Sequence, residues 1–370
     1  MREYALVFCV AAAVTFLLTP VIRRVAIRWG AMAAPRDRDV HTIPVPRLGG
    51  VAMLGGFAAA MLVARRMPTL QRTFTDSSQV TAVLLAAVII CVVGVLDDRY
   101  ELDALTKFAG QIVAAGPMVL LGVQYLLFYL PFGGIGTLLL SRDEAVPLTI
   151  IVAVVTVNAV NFIDGLDGLA AGVVGISALA FFAYSYHLGK AGYDVAFAPT
   201  LICAAVAGIC IGFLPHNFSP ARIIMGDSGS MLLGLLLAAA QTSATTADSQ
   251  TFKTSFGSLP LLLPLVILVA VLAVPFVDLI LAVVRRVKAG RSPFSPDKKH
   301  LHHRLLEIGH SQRRAVLLIY FWAAVVAFGG VAVSLVNSVA VVVSLVGSLA
   351  LVAVILSSVP RLRSLRRPGK

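Results

Sequence analysis

Eleven runs of mostly apolar residues, each close to 20 residues long, divide this chain. A helix needs about 20 such residues to cross the hydrocarbon core of a bilayer. Hydrophobic residues make up 59% of the chain and charged residues only 13%, whereas a soluble domain carries about 25% charged residues. The sequence therefore predicts an all-α, polytopic integral membrane protein. The predicted spans are 4–27, 48–64, 80–97, 105–123, 147–163, 166–187, 196–214, 229–246, 259–284, 315–333 and 337–357.

The first apolar run, Tyr4–Gly30, is too long for a signal peptide, and no small-residue cleavage site precedes a soluble domain. We expect it to be a retained span. Residues 1–357 are predicted to form a single transmembrane domain with cytoplasmic loops, followed by a basic cytoplasmic tail at 358–370. The four cysteines lie within apolar runs and form no CxxC pair, so neither a disulfide framework nor a zinc site is indicated.

The distribution of basic residues predicts the orientation, because cytoplasmic loops are enriched in Lys and Arg. With the N-terminus outside and the C-terminus in the cytoplasm, most of the 30 Lys and Arg residues fall in inner loops and the tail. The net charge of +12 is then mainly a topology signal, together with attraction to anionic headgroups and anionic substrates. Nucleic acid binding is not required to explain it.

Polar residues follow one another at intervals of three at the end of the fifth predicted span: Asn158, Asn161, Asp164 and Asp167. On a helix, this spacing keeps side chains on neighbouring faces of successive turns. An ionisable group near hydrocarbon costs about 2.5 to 3.5 kcal/mol even on a lenient scale, so such a stripe indicates an ion, a proton or a substrate. The topology places the stripe at the cytoplasmic boundary.

Three further polar motifs fall on the same predicted side of the membrane, which indicates one shared site. They are Asp97-Asp98 after the third span, Gly226-Asp227-Ser228-Gly229 before the eighth, and the segment from Lys298 to Arg304 in the largest inner loop. In the outer loops, Gly133-Gly134-Ile-Gly136 and Ser141-Arg-Asp-Glu144 predict a turn or short hairpin between spans four and five.

The paired carboxylates of Asp97 and Asp98 concentrate negative charge that a divalent cation or a basic partner has to compensate. Lys107, nine residues after Asp98, is a candidate phosphate contact. The alternative is a solvated inner loop rich in acidic residues. Asp227 lies between small residues at the start of a span, where a helix N-terminus favours an anion. Its alternative role is that of an N-cap.

Imidazoles from His300, His302 and His303 lie beside Arg304 and two lysines. So many cations and no cysteine make a poor closed zinc site, and recognition of a diphosphate or a sugar fits better. The alternative is a basic inner loop with incidental histidines. Weaker candidates for substrate contacts are Arg47, in a Pro- and Gly-rich loop, and Asn217.

In this order, four motifs resemble those of the polyprenyl-phosphate N-acetylhexosamine-1-phosphate transferases. They are Val95-Leu-Asp-Asp98, Asn158-Ala-Val-Asn-Phe-Ile-Asp-Gly-Leu-Asp-Gly168, Met225-Gly-Asp-Ser-Gly-Ser230 and Ser295-Pro-Asp-Lys-Lys-His-Leu-His-His-Arg304. The His-Leu-His-His form and the Pro46-Arg-Leu-Gly-Gly50 loop resemble the WecA and TagO branch rather than the related MraY branch. An eleven-span count also suits that branch.

The resemblance implies transfer of GlcNAc-1-phosphate from UDP-GlcNAc to undecaprenyl or decaprenyl phosphate, with release of UMP, at the cytoplasmic face of the bacterial plasma membrane. Mg²⁺ is the expected cofactor, with Mn²⁺ as the alternative ion. The expected roles fall into three groups, and all but those of Arg47, Asn158 and Asn217 are implied by the resemblance. Asn161 and Asp227 are expected to bind the metal; Asp97, Asp98 and Lys107 to act on the lipid phosphate; and Arg47, Asn158, Asp164, Asp167, Asn217, His300, His302, His303 and Arg304 to bind substrate.

Three alternatives stay open at this point. An MraY-like enzyme would use UDP-MurNAc-pentapeptide. A secondary transporter would be expected to carry its polar site near the bilayer midplane, often in inverted repeats. An inactive scaffold would be expected to lack some of the carboxylates that are present here. The sequence does not identify the prenyl chain length, the preferred amino sugar or the oligomeric state, for which a homodimer is one option. It also leaves open whether the glycan served is lipopolysaccharide, teichoic acid or an arabinogalactan linkage.

Overall fold

The computed structural model describes residues 1–33, 44–130, 136–246, 311–335 and 338–358, which are mostly helical. The predicted span 259–284 and residues 359–370 of the predicted tail lie outside these ranges. The helices are α1 (Arg2–Trp29), α2 (Gly49–Ala64), α3 (Arg72–Thr75), α4 (Gln79–Tyr100), α5 (Ala104–Leu120), α6 (Arg142–Ile163), α7 (Leu169–Lys190), α8 (Phe197–Asn217), α9 (Gly226–Thr245), α10 (Gln312–Leu335) and α11 (Val339–Ser358), with a 3₁₀ turn at Asp194–Ala196.

A helix occupies each of the ten predicted spans that fall within the described residues. Peripheral helices expose large apolar side chains such as Leu17, Leu120 and Phe162, as expected of a surface that faces lipid. The chain is therefore a multi-pass membrane protein. Within the described residues, six helical segments are long and apolar enough to cross a bilayer: Arg2–Trp29, Gln79–Tyr100, Arg142–Ile163, Leu169–Lys190, Asp194–Asn217 and Gln312–Ala332. The full number of eleven spans and their orientation stay predictions.

In the part of the chain that the structure describes, two short antiparallel strand pairs lie between helices. Strands β1 (Met32–Ala33) and β2 (Val45–Pro46) pair before α2. Strands β3 (Leu127–Leu130) and β4 (Gly136–Leu139) pair with Leu127 opposite Leu139, so a hairpin between spans four and five is confirmed. The segment Ser141–Glu144 is not part of a turn as predicted but starts α6, where Ser141 and Glu144 form a capping box. Gly133 and Gly134 lie outside the described residues.

Helix α6 ends at Ile163, which corrects the prediction of one continuous polar stripe from Asn158 to Asp167. Only Asn158 and Asn161 lie on the helix. The chain then turns through residues 164–168, where Gly168 has a φ of 78°. A backbone of that kind favours glycine, and it starts α7 in a new direction.

Helix α9 lies at the centre of the bundle, against α2, α4, α6 and α8, and it is buried from Ser228 to Thr245. Its first turn is closely packed. A Cβ added to Gly50 would lie 2.2 Å from the Ser228 carbonyl carbon, and one added to Gly94 would lie 2.4 Å from Ser228 Cα. These glycines let α2 and α4 approach the backbone that carries Asp227.

Candidate active site

Lys107 joins two carboxylates that are far apart in the sequence. Its Nζ lies 2.5 Å from Asp97 Oδ2 and 2.6 Å from Asp227 Oδ2. Asp97 comes from the last turn of α4 and Asp227 from the first turn of α9. Lys107 lies in the first turn of α5. This helix is capped by the preceding residue, Asp103, whose side chain accepts hydrogen bonds from two backbone amides. The two motifs and Lys107 thus meet at one end of the bundle.

Asp97 is held in place from the other side. The residue is only 4% exposed, and its Oδ1 accepts a 2.8 Å hydrogen bond from the backbone N–H of Leu102. The left-handed backbone at Glu101, with a φ of 51°, allows α4 to end and Leu102 to fold back over Asp97. One oxygen of Asp97 therefore meets backbone and the other meets the ammonium group.

Asp98 contacts the backbone of α9. Its Oδ1 accepts from Asp227 N at 2.8 Å and its Oδ2 accepts from Ser228 N at 3.1 Å. Helix α9 begins at Gly226, and no side-chain hydrogen bond comes from the N-cap residue, Met225. The alternative interpretation of Asp227 as an N-cap is therefore wrong, because Asp98 supplies the capping oxygens and Asp227 lies inside the first turn.

Asn161 completes the cluster from α6. Its Nδ2 donates to Asp227 Oδ1 at 2.8 Å and to Ser230 Oγ at 2.9 Å. Asn158, one turn earlier, instead donates to Gln111 Oε1 at 2.7 Å, which links α6 to α5. Sequence reasoning missed Gln111 and Ser230. Their spacing could have identified them. Gln111 follows Lys107 by four residues and Ser230 follows Asp227 by three, so each lies on the same helix face as the predicted residue before it.

Asp164 lies just after α6, near several other carboxyl groups. Part of its surface is exposed, yet protein atoms surround its carboxyl group densely. Burial, and then the nearby carboxylates of Asp227, Asp98 and Asp167, raise the pKa of Asp164 well above its usual value. Burial and the neighbouring carboxylates therefore favour the neutral form of the Asp164 side chain.

Asp167 and Asn217 hold the loop that leads into α9. Asp167 Oδ2 accepts from Ala221 N at 3.0 Å. Asn217 Oδ1 accepts from Gly168 N at 3.0 Å, and its Nδ2 donates to Ile223 O at 3.1 Å. Both side chains are buried. These hydrogen bonds are made with backbone groups, and the substrate contacts expected of the two side chains stay a prediction.

The segment that contains Arg47 runs beside the same loop. Pro46 O accepts from Ile224 N at 3.0 Å, Gly49 N donates to Ile224 O at 3.2 Å, and Arg47 N donates to Ala31 O at 2.9 Å. Backbone contacts thus bring the Arg47 segment close to Asp227. The predicted residues His300, His302, His303 and Arg304 lie outside the described residues.

Comparison with known proteins assigns the chain to a family. The model for glycosyl transferase family 4 matches residues 80–245. Over 331 residues, the chain is 49% identical to the decaprenyl-phosphate N-acetylglucosaminephosphotransferase of Mycolicibacterium smegmatis, an alignment that covers 89% of this chain and 82% of that relative. This chain belongs to glycosyl transferase family 4.

Other family 4 relatives carry related names. The decaprenyl-phosphate N-acetylglucosaminephosphotransferase of Mycobacterium leprae is 48% identical over 339 residues, with 91% of this chain and 85% of the relative covered. The undecaprenyl-phosphate alpha-N-acetylglucosaminyl 1-phosphate transferase of Pasteurella multocida is 32% identical over 329 residues, with 85% and 82% covered. The residues matched by the family 4 model include all members of the Lys107 cluster: Asp97, Lys107, Asn161 and Asp227.

Proposed function

We propose that this protein transfers GlcNAc-1-phosphate from UDP-GlcNAc to a polyprenyl phosphate, either decaprenyl or undecaprenyl phosphate, at the cytoplasmic face of the bacterial plasma membrane. The observation that carries the proposal is the cluster of Asp97, Lys107, Asn161 and Asp227 at one end of a multi-pass helical bundle. A lipid phosphate and a water-soluble nucleotide can meet only at such a boundary. The names of relatives up to 49% identical support the same reaction.

In this reaction, an oxygen of the lipid phosphate attacks the β-phosphorus of UDP-GlcNAc. The bond between the β-phosphorus and the bridging oxygen breaks, and UMP leaves with the electron pair. Both reactants are anions, so positive charge has to offset their repulsion and stabilise the charge that develops on UMP. Lys107 is suited to the lipid phosphate because its side chain is partly exposed, whereas the Asp97 side chain that it contacts is buried.

Asp227 and Asn161 are the residues that would hold Mg²⁺. A hard cation prefers oxygen donors and takes one or two protein ligands beside phosphate and water. Asn161 donates from Nδ2 to Asp227, which leaves its carbonyl oxygen for a cation. Within the described ranges, no group of three or more His, Cys, Asp and Glu could hold a metal alone, so the ion would need the diphosphate to complete its shell. When bound, Mg²⁺ or Mn²⁺ would polarise the diphosphate and neutralise the leaving group.

Asp97 would orient Lys107 rather than attack the substrate. Its two oxygens accept from Leu102 N and from Lys107 Nζ. A lipid phosphate is already ionised near neutral pH, so we favour direct attack over a covalent intermediate on this carboxylate. Sugar and uridine recognition would fall to the other residues predicted from the sequence: Arg47, Asn158, Asp164, Asp167, Asn217, His300, His302, His303 and Arg304.

The test is an assay of the purified protein in nanodiscs with UDP-GlcNAc, polyprenyl phosphate and Mg²⁺. We expect UMP release and a lipid-linked GlcNAc diphosphate, and an Asp227→Ala variant should lose at least about 1,000-fold in rate, as expected when a metal ligand is removed. The control is Asp76→Ala, which should keep the full rate. Asp76 is exposed and precedes the N-terminal end of α4, whereas Asp97 lies at the C-terminal end. Turnover of UDP-MurNAc-pentapeptide alone would instead support the MraY-like alternative, and absence of UMP release with every UDP-amino sugar would refute the proposal.

A further inference from the structure

The adjacent carboxylates of Asp97 and Asp98 face different partners. Asp97 meets the ammonium group of Lys107, whereas both oxygens of Asp98 accept backbone N–H groups at the start of α9. A helix leaves its first four N–H groups without partners inside the helix, and Asp98 satisfies two of them, at Asp227 and Ser228. Asp98 is 5% exposed and belongs to another helix, α4.

Close packing holds the Asp98 carboxyl group under this turn. A Cβ added to Gly226, whose φ is 68°, would lie 2.4 Å from Asp98 Oδ2. Gly94 lies one turn before Asp98 on α4 and packs against the Cα of Ser228. The gap between them is too small for any side chain at position 94. The backbone of α9 therefore cannot shift along α4 without breaking these contacts.

We infer that Asp98 is a positioning residue, which fixes the backbone of Asp227 so that the Asp227 carboxyl group lies between Lys107 and Asn161. The adjacent residues Asp97 and Asp98 would then have different roles. Asp97 orients Lys107, which would bind the lipid phosphate, whereas Asp98 holds the backbone that carries Asp227. This revises the expectation that both act on the lipid phosphate. The inference rests on the proposed function only where it treats Asp227 as a metal ligand.

Hydrogen exchange tests the positioning without any assay of activity. In an Asp98→Asn variant, the side chain keeps one acceptor and places an NH₂ group against the second amide. We expect the Asp227 and Ser228 amides to exchange about 10- to 150-fold faster than in the wild type, which corresponds to loss of a hydrogen bond to a charged group. The matched control is Asp103→Asn, which removes another capping carboxylate and should affect Leu105 and Thr106 but not α9.

Kinetics then separate positioning from direct participation. Both Asp98→Asn and Gly226→Ala should lower kcat about 10- to 150-fold, leave KM for UDP-GlcNAc within about threefold, and raise the Mg²⁺ concentration for half-maximal rate. The pH profile of kcat/KM should keep the limbs of the wild type, because no reacting group has been removed. Gly226→Ala carries no chemistry of its own and provides the same test if Asp98→Asn folds poorly.

Two results would overturn the inference. One is unchanged exchange at Asp227 and Ser228 in Asp98→Asn. The other is loss of a limb of the pH profile in Asp98→Asn but not in Gly226→Ala, which would make Asp98 a titrating participant. If the wild-type protein releases no UMP, the proposed function fails, whereas the exchange measurement still decides whether Asp98 holds α9.

Discussion

Replacing Lys107 by Met would leave two carboxylates facing each other across the candidate site. Since Nζ lies 2.5 Å from Asp97 Oδ2 and 2.6 Å from Asp227 Oδ2, these oxygens are at most about 5 Å apart. Two negative charges at that distance repel by about 3 kcal/mol at an effective dielectric constant of about 20, and by about 1 kcal/mol in water. Asp227 is partly exposed, so the cost lies between these limits.

This change should affect metal binding and catalysis in opposite directions. Removal of the ammonium group makes the site more negative, so Mn²⁺ should bind about 5- to 150-fold more tightly, which is the factor that corresponds to 1 to 3 kcal/mol. Turnover should nevertheless fall at least about 100-fold, because the cation proposed to hold the lipid phosphate is gone. Electron paramagnetic resonance of Mn²⁺ in nanodiscs measures the first effect, and UMP release measures the second.

Lys107→Arg is the matched control, since it keeps the positive charge and should hold Mn²⁺ affinity within about threefold of the wild type. Weaker Mn²⁺ binding in Lys107→Met, at an unchanged melting temperature, would refute the reasoning, because it would show that the ammonium group organises the metal ligands instead of competing with the ion. Full turnover in that variant would remove Lys107 from the site.

Two further predictions concern the packing around α9. Gly50→Ala should destabilise the protein by about 1 to 3 kcal/mol in a thermal unfolding assay, because the added Cβ would overlap the Ser228 backbone. The control is Gly116→Ala, where a Cβ would meet open space and stability should not change. Equal melting temperatures for the two variants would contradict the prediction. Asn217→Ala should lower the melting temperature, because it leaves the buried Gly168 N–H and Ile223 C=O without their hydrogen bonds. Each unpaired group should reduce the free energy of unfolding by about 1 to 3 kcal/mol. An unchanged melting temperature would show that other contacts hold the loop.

The helices could be predicted from the sequence because a bilayer imposes a length on apolar segments. Helix ends were harder to predict. The predicted fifth span ends at residue 163, as α6 does, but the intervals of three from Asn158 to Asp167 were interpreted as helical spacing across that end, where Gly165 and Gly168 permit a turn. Hydropathy reports the environment of a segment, whereas the end of a helix depends on local backbone conformation.

The members of the site could be predicted as a group, but their partners could not. Successive residues on a helix point about 100° apart, so Asp97 and Asp98 had to face different neighbours. Which of them would meet Lys107 depends on how α4, α5 and α9 pack. Gln111 was missed for a related reason, because a lone amide in an apolar helix shows no sign of its partner until Asn158 is placed opposite it.

The burial of α9 has a consequence for how the protein enters the membrane. This helix is shielded from lipid by its neighbours, and it contains polar residues such as Gln241 and Thr242, which are 1% and 0% exposed. Its 20 residues are long enough to cross a bilayer, but it is not among the six described segments that are also apolar enough to do so. We therefore expect the nascent chain to retain α9 in the bilayer only after α2, α4 and α6 have been inserted, so the metal-ligand candidate Asp227 would reach its place through assembly of the bundle rather than through its own affinity for lipid.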